Sequence, residues 1–184
     1  MKKVVTNPYL PNFEYIPDGE PHVFNGRVYV YGSHDRFNGG NFCLNDYVTW
    51  SAPIDDLSDW RYEGVIWRKV DDPTTNGKRV YYAPDVCHGP DGKFYLYTNV
   101  NGKGLQCYIS EKIEGPWKHV NMQGRIYDLS VLFDDDGKIY AIHGYGEVKC
   151  TELKPDMSGP IEETERTIIP EGNGVGEGHH MYKI

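Results

Sequence analysis

Four acidic residues recur along the chain at the start of a repeated motif. The first three each precede an apolar stretch and an Asn-Gly or Asp-Gly turn followed by a tyrosine, and the fourth opens a similar pattern near residue 184. They are Asp18, Asp85, Asp128 and Glu177. Acids at the start of repeated β units would surround one axis, where like charges raise one another's pKa. Glycoside hydrolysis uses such a group, because one carboxylic acid protonates the leaving oxygen while a carboxylate activates water or attacks.

The elements that must position these acids are short strands. Alternating apolar residues follow each Gly turn at 28–31, 94–97 and 139–142, which predicts a hairpin in every repeat. Two further strands are predicted in each repeat, at 47–51 and 59–63, at 105–109 and 116–120, and at 148–153 and 166–169. Four strands in roughly 45 to 65 residues are typical of a propeller blade. The sequence therefore predicts an all-β propeller.

Composition restricts the classes of partner. The chain has 184 residues, a formal net charge of −8, 14% aromatic residues and 15 tyrosines. An acidic balance argues against a nucleic-acid surface and is compatible with a neutral ligand such as a sugar. No apolar segment follows Lys2-Lys3 and none is long enough to span a membrane. We therefore expect no signal peptide, a cytoplasmic location and no membrane partner.

Other chemical motifs are weak. The cysteines at 43, 87, 107 and 150 lack the close spacing of a zinc site and are expected to be reduced thiols. Asp134-Asp135-Asp136-Gly137 reads as a solvated turn without EF-hand spacing. His179-His180 is not part of a H-E-x-x-H motif. We therefore predict no metal site among these residues.

Four stretches together resemble glycoside hydrolase family 43, the five-bladed propellers that include β-xylosidases and α-L-arabinofuranosidases. They are Asn7-Pro8-Tyr9-Leu10-Pro11 through Pro17-Asp18, Ala83-Pro84-Asp85, Tyr127-Asp128-Leu129-Ser130 with the turn at 134–137, and Gly176-Glu177-Gly178-His179-His180. The resemblance covers essentially the whole chain. It implies a five-bladed propeller, represented here by about three blades and the first strand of a fourth.

The resemblance also implies catalytic roles. Asp18 would be the general base that activates water, Glu177 the general acid, and Asp128 the residue that tunes and orients the acid. Asp85 would line the same pocket. The family inverts anomeric configuration, which predicts that base and acid lie roughly 6.5–9.5 Å apart. An alignment with a gap would instead place Glu20 at the position of the base.

The implied organisation is a single partial domain over 1–184. Blade 1 is expected at about 18–67, blade 2 at about 80–121, blade 3 at about 126–170, and a fourth blade begins at 177. The family draws further pocket residues, and sometimes ligands for a central ion, from the part that follows. The isolated chain is therefore expected to be inactive or nearly so. No cofactor is required, although a structural calcium ion in the complete propeller is compatible with the resemblance.

The substrate class implied is a xylosyl or arabinofuranosyl linkage of plant polysaccharides or their oligosaccharides, and the sequence does not separate xylose from arabinose. Candidate sugar contacts are Trp67, Tyr82 and His34, although aromatic rings also fill blade cores. Two alternatives stay open. One is a non-catalytic sugar-binding propeller, and the other is a retaining sucrose- or fructan-cleaving enzyme with carboxyl groups only about 5–5.5 Å apart.

Overall fold

The computed structural model describes residues 4–120, 122, 124, 126–168 and 176–181, and it contains three antiparallel four-stranded sheets. The first sheet consists of β1 Glu20–Phe24, β2 Arg27–Tyr31, β3 Tyr47–Pro53 and β4 Arg61–Trp67. The second consists of β5 Tyr81–His88, β6 Phe94–Val100, β7 Gly104–Ser110 and β8 Lys118–Val120. The third consists of β9 Ser130–Phe133, β10 Ile139–His143, β11 Val148–Leu153 and β12 Arg166–Ile168.

Strands within each sheet follow one another in sequence order, which is the connectivity of a propeller blade. The tight hairpin between the first two strands requires glycine with positive φ, and Gly26, Gly92 and Gly137 have φ values of 74°, 81° and 80°. Short 3-10 helices occur at Lys69–Asp71 and Glu162–Thr164. The all-β propeller prediction is therefore confirmed.

Some predicted features lie outside the described residues, among them the blade limits at 121 and 170 and the end of the strand predicted to begin at Glu177. Residues 176–181, here called the Glu177 segment, are described and lie against the first strands of blades 1 and 3. In the described part of the chain, no helix has the length and apolar character needed to cross a bilayer.

The innermost strands of the three blades share one register. In each innermost strand, one residue pairs with the residue that lies five positions after the turn glycine of the same hairpin. The pairs are Glu20 with Tyr31, Asp85 with Tyr97, and Ser130 with Ile142. These three inner-strand residues are therefore structurally equivalent.

The residues two positions earlier form a second equivalent set. Asp18, Ala83 and Asp128 all have positive φ, with values of 54°, 33° and 53°. This corrects the grouping of Asp85 with Asp18 and Asp128 made from the sequence. The pairing of β5 with β6 is irregular just before Asp85, so the Pro-Asp of blade 2 mimics the Pro-Asp of blade 1 although its acid lies two residues further along the strand.

The apolar core occupies the spaces between the blades and is rich in tyrosine. One cluster packs blade 1 against blade 2 and includes Tyr31, Tyr47, Trp67, Tyr81 and Tyr108. Another lies between blades 2 and 3 and includes Tyr97, Leu105, Cys107, Ile139 and Leu153. All four cysteines are free thiols. Burial of these large rings stabilises the packing of neighbouring blades, by about 1.5–3 kcal/mol for each fully buried large apolar side chain.

Candidate active site

A cleft of about 510 Å³ opens where the inner ends of the blades meet. Its lining comes from all three blades and from the Glu177 segment. The lining residues are Pro17, Asp18, Asp35, Phe42, Cys43, Tyr82, Ala83, Asn99, Tyr127, Asp128 and Glu177. Three of the predicted acids, which are far apart in the sequence, thus share one cleft.

Asp18 lies two residues before β1, and a residue that follows β2 holds its carboxylate. The hydroxyl of Ser33, which follows β2 and is fully buried, donates a hydrogen bond of 2.8 Å to Oδ2 of Asp18. The same hydroxyl accepts a 2.8 Å bond from the backbone amide of Ala83 in blade 2. Ser33 therefore fixes the direction of the Asp18 carboxylate relative to blade 2.

Asp128 lies directly before β9, and neighbours on two sides hold it. The backbone amide of Gly178 donates a 2.6 Å hydrogen bond to its Oδ2. The side-chain amide of Asn99, oriented so that both of its groups are satisfied, accepts from the Asp128 backbone amide and donates to the Ile126 carbonyl, both at 2.9 Å. Asp128 is therefore fixed to blade 2 and to the residue after Glu177.

The environment of Asp128 favours its protonated form. Burial raises the pKa of this carboxyl from 3.8 to about 6; the Gly178 amide opposes that change, and the charges of Asp18, Glu177 and Glu20 add to it. Electrostatic coupling among these groups follows from their shared cleft. Asp128 therefore stays partly protonated in mildly acidic solution.

Glu177 forms an exposed wall of the cleft beside Tyr127. Burial raises the pKa of Tyr127, and the charges of Glu177 and Asp128 raise it further. The loop after β10 supports this wall, because the Gly144 amide donates to the Tyr127 carbonyl at 2.9 Å and the Gly146 amide donates to the Gly176 carbonyl at 2.6 Å. The Glu177 carboxyl thus faces the same space as the two aspartates.

Asp85 is not on the surface of the cleft. It is 1% exposed, with Oδ1 2.5 Å from Nε2 of His22 and with Oδ2 accepting a 3.1 Å hydrogen bond from the amide of Val131. Burial lowers the pKa of His22, but the charge and hydrogen bond of Asp85, together with the charge of Glu20, outweigh this and raise it. Asp85 therefore links the first strands of three blades beneath the cleft.

The three candidate sugar contacts have different positions. Tyr82 lines the cleft, and its hydroxyl accepts a 3.0 Å bond from Asn101. Trp67 is 3% exposed and packs against core tyrosines, so its ring offers no face to the cleft. His34 is also outside the lining, because Nδ1 and Nε2 contact the Asp46 carbonyl at 2.7 Å and Glu14 at 2.8 Å.

Several residues of the site were not predicted. Ser33 lies two residues after β2 and Asn99 is the second-last residue of β6, and both are buried. A polar residue at the end of an apolar strand is the signal that could have found them. Phe42 and Cys43 come from the connection between β2 and β3, outside the predicted strands. Burial raises the pKa of Cys43 to about 11, so it is a neutral thiol rather than a nucleophile at neutral pH.

The chemistry available is that of carboxyl groups. Among the described residues, no group of three or more His, Cys, Asp or Glu side chains could hold a metal ion. An aspartate fixed by hydrogen bonds, a partly protonated aspartate and an exposed glutamate in one cleft can activate water and deliver a proton to a leaving oxygen.

Comparison with known proteins gives one consistent result. The family model for glycosyl hydrolases family 43 matches residues 6–184. A xylosidase/arabinosidase of Thermoclostridium stercorarium is 71% identical over 94% of this chain and 32% of its own length, and xylosidase/arabinosidase 43A of Humicola insolens is 31% identical over 91% and 55%. A bifunctional GH43-CE protein of Bacteroides eggerthii superposes with a TM-score of 0.69 and 26% identity, over 92% of this chain and 22% of that one. The chain thus spans about a third to a half of the curated relatives named.

Proposed function

The chain belongs to glycosyl hydrolases family 43, and from that membership we propose that its cleft hydrolyses xylosyl or arabinofuranosyl linkages by inverting acid–base catalysis. The observation that carries the proposal is the meeting of Asp18, Asp128 and Glu177 in one cleft of about 510 Å³. The names of the relatives support the choice of sugars.

Asp18 acts as the general base in this proposal. Its carboxylate, oriented by Ser33, accepts a proton from the water that attacks the anomeric carbon. The position of Glu20 supports this choice over the alternative base, because Glu20 is absent from the cleft lining and its Oε2 lies 2.7 Å from Nδ1 of His180. Attack by water from the base side inverts the anomeric configuration.

Glu177 acts as the general acid and protonates the glycosidic oxygen as the bond to the leaving sugar breaks. Asp128 touches the backbone of the next residue through the Gly178 amide and shares the electrostatic field of the cleft. It therefore orients the acid and tunes its protonation. Asn99 and Tyr82 also line the cleft and are the polar groups next to these acids that could contact the sugar.

The test uses the protein at its full natural length with aryl β-xyloside and aryl α-L-arabinofuranoside. We expect Asp18→Asn to lower kcat by about 10²–10⁴-fold on both substrates, the usual contribution of a general base. Glu177→Gln should cause a loss of the same size on the corresponding disaccharide, whose leaving oxygen needs protonation. Matched controls are the exposed residues Asp55→Asn and Glu163→Gln, which should keep full activity. Sugar binding, measured by calorimetry, should survive in both catalytic variants.

The anomer of the first-formed product, followed by NMR, completes the test. Inversion is expected. Retention would exclude the proposed mechanism in favour of a covalent intermediate. Sugar binding by the unsubstituted protein without any turnover would identify a non-catalytic binding propeller and overturn the proposal.

A further inference from the structure

We propose that Glu20 is a positioning residue that holds the Glu177 segment through His180, an inference that rests on the function proposed above. Glu20 does not line the cleft, and the proposal gives it no contact with substrate. Its task is to fix the backbone that carries the general acid.

The first observation is a layer of cross-blade contacts directly beneath the acids of the cleft. It is made by the equivalent residues Glu20, Asp85 and Ser130. Oε2 of Glu20 lies 2.7 Å from Nδ1 of His180, and the Ser130 hydroxyl donates a 2.9 Å hydrogen bond to the His179 carbonyl. Asp85 makes the corresponding link from blade 2 to blades 1 and 3. Each member of the layer thus reaches from its own blade to a neighbouring element.

The second observation is where these contacts fall on the Glu177 segment. Two of the three members act on consecutive residues, His179 and His180, which follow Glu177 by two and three positions. Their surroundings are enclosed, with His179 6% exposed and Ser130 2% exposed, and the side chains of His180 and Glu20 18% and 21% exposed. The layer therefore constrains this short segment from below.

The third observation is that the segment needs such a constraint. Glu177 is exposed and lies between two glycines, and a Cβ placed on Gly176 or Gly178 would meet nothing within 4 Å. Glycine gives the backbone more conformational freedom than any other residue. The Gly176 carbonyl and the Gly178 amide each have one hydrogen bond of 2.6 Å, and the contacts of His179 and His180 hold the segment beyond these two bonds. This further constraint matters because a displacement of a catalytic group by about 1 Å can cost about 10²-fold in rate.

The His180 side chain has two ionisable neighbours, the carboxylate of Glu20 and the ring of His22. Its ring centroid lies 6.1 Å from that of His22, which is itself bound to Asp85. The Glu20 carboxylate contacts His180, and its charge also contributes to raising the pKa of His22. Removing the Glu20 charge therefore loosens His180 without removing the Asp85–His22 contact.

The experiment compares two leaving groups in the protein at its full natural length. A dinitrophenyl glycoside departs without help from an acid, whereas the corresponding disaccharide needs protonation of its leaving oxygen. For Glu20→Gln we expect kcat to fall about 10–100-fold on the disaccharide and less than about threefold on the dinitrophenyl glycoside, because only the acid is misplaced. Glu163→Gln is the matched control and should leave both rates unchanged.

A double-variant cycle tests whether Glu20 acts through His180. His180→Gln should give the same selective loss, and the double variant should lose no more than either single variant. If Glu20→Gln does not fold, the same comparison of leaving groups is made with His180→Gln, and hydrogen exchange at Gly178 should be faster in that variant.

The outcomes separate the two hypotheses. An equal fall on both substrates, or full additivity in the cycle, would overturn the positioning role and leave the proposed function intact. Absence of turnover on both substrates by the unsubstituted protein would overturn the proposed function, and this inference with it.

Discussion

Replacing Asp128 by asparagine should stabilise the protein at neutral pH and remove its activity. The carboxyl is partly buried, and its pKa is raised from 3.8 to about 6, so ionising it costs more in the folded than in the unfolded protein. Asparagine keeps an oxygen that can accept the Gly178 amide bond but carries no charge. The variant thus removes an electrostatic cost while preserving the main contact.

The size of the effect follows from the pKa. Because the folded-state pKa is the higher one, this carboxyl adds stability that is present below pH 3.8 and is lost as the pH rises through about 6. One unit of pKa corresponds to about 1.4 kcal/mol, so the rise of the pKa from 3.8 to about 6 amounts to a loss of about 3 kcal/mol at pH 7.5. Solvent screening of a partly exposed group reduces this to about 2 kcal/mol. That corresponds to a rise in Tm of about 4–8 °C for Asp128→Asn in a protein of this size.

Thermal unfolding at two pH values is the assay. At pH 4.5 the difference between Asp128→Asn and the unsubstituted protein should shrink to about one third of its value at pH 7.5. Asp55→Asn, on the exposed surface, should show no such dependence. A lower Tm for Asp128→Asn at pH 7.5, or the same increase at both pH values, would refute the reasoning from burial and charge.

Two backbone-supporting positions yield further predictions. Ser33→Ala removes the donor to Asp18 and leaves a buried backbone amide without its acceptor, so urea denaturation should show a loss of about 1–3 kcal/mol, and a loss below about 0.5 kcal/mol would contradict the role given to this hydroxyl. Gly32→Ala would place a Cβ 2.6 Å from the Pro17 carbonyl oxygen, next to Asp18, and should cost about 1–3 kcal/mol and lower kcat. Gly40→Ala, where a Cβ would meet nothing within 4 Å, is its control, and equal effects of the two substitutions would show that crowding is not the cause.

Much of the fold could be predicted because its signals are local. An Asn-Gly or Asp-Gly turn followed by alternating apolar residues is enough to specify each hairpin, and the three turn glycines have the expected positive φ. The meeting of Asp18, Asp128 and Glu177 in one cleft was also predictable, because a propeller brings equivalent residues of its repeats to one axis.

The remaining features depend on contacts between blades, which sequence spacing does not report. Trp67 has the composition of a sugar-stacking residue, but the gap between blades 1 and 2 buries it. Asp85 follows a proline as Asp18 does, yet the irregular pairing of β5 moves it two residues along the strand and under the cleft. Ser33 acquires its role only because blade 2 brings the Ala83 amide within 2.8 Å.

The shared backbone conformation of Asp18, Ala83 and Asp128 has a consequence for how such clefts diversify. Each repeat presents one residue to the cleft with positive φ, a conformation that aspartate and asparagine adopt more readily than alanine does. Ala83 bears this conformational cost without contributing a polar group to the cleft. New chemistry can therefore arise in this fold by exchanging one side chain at a site whose orientation the repeat already provides, with no rebuilding of the main chain.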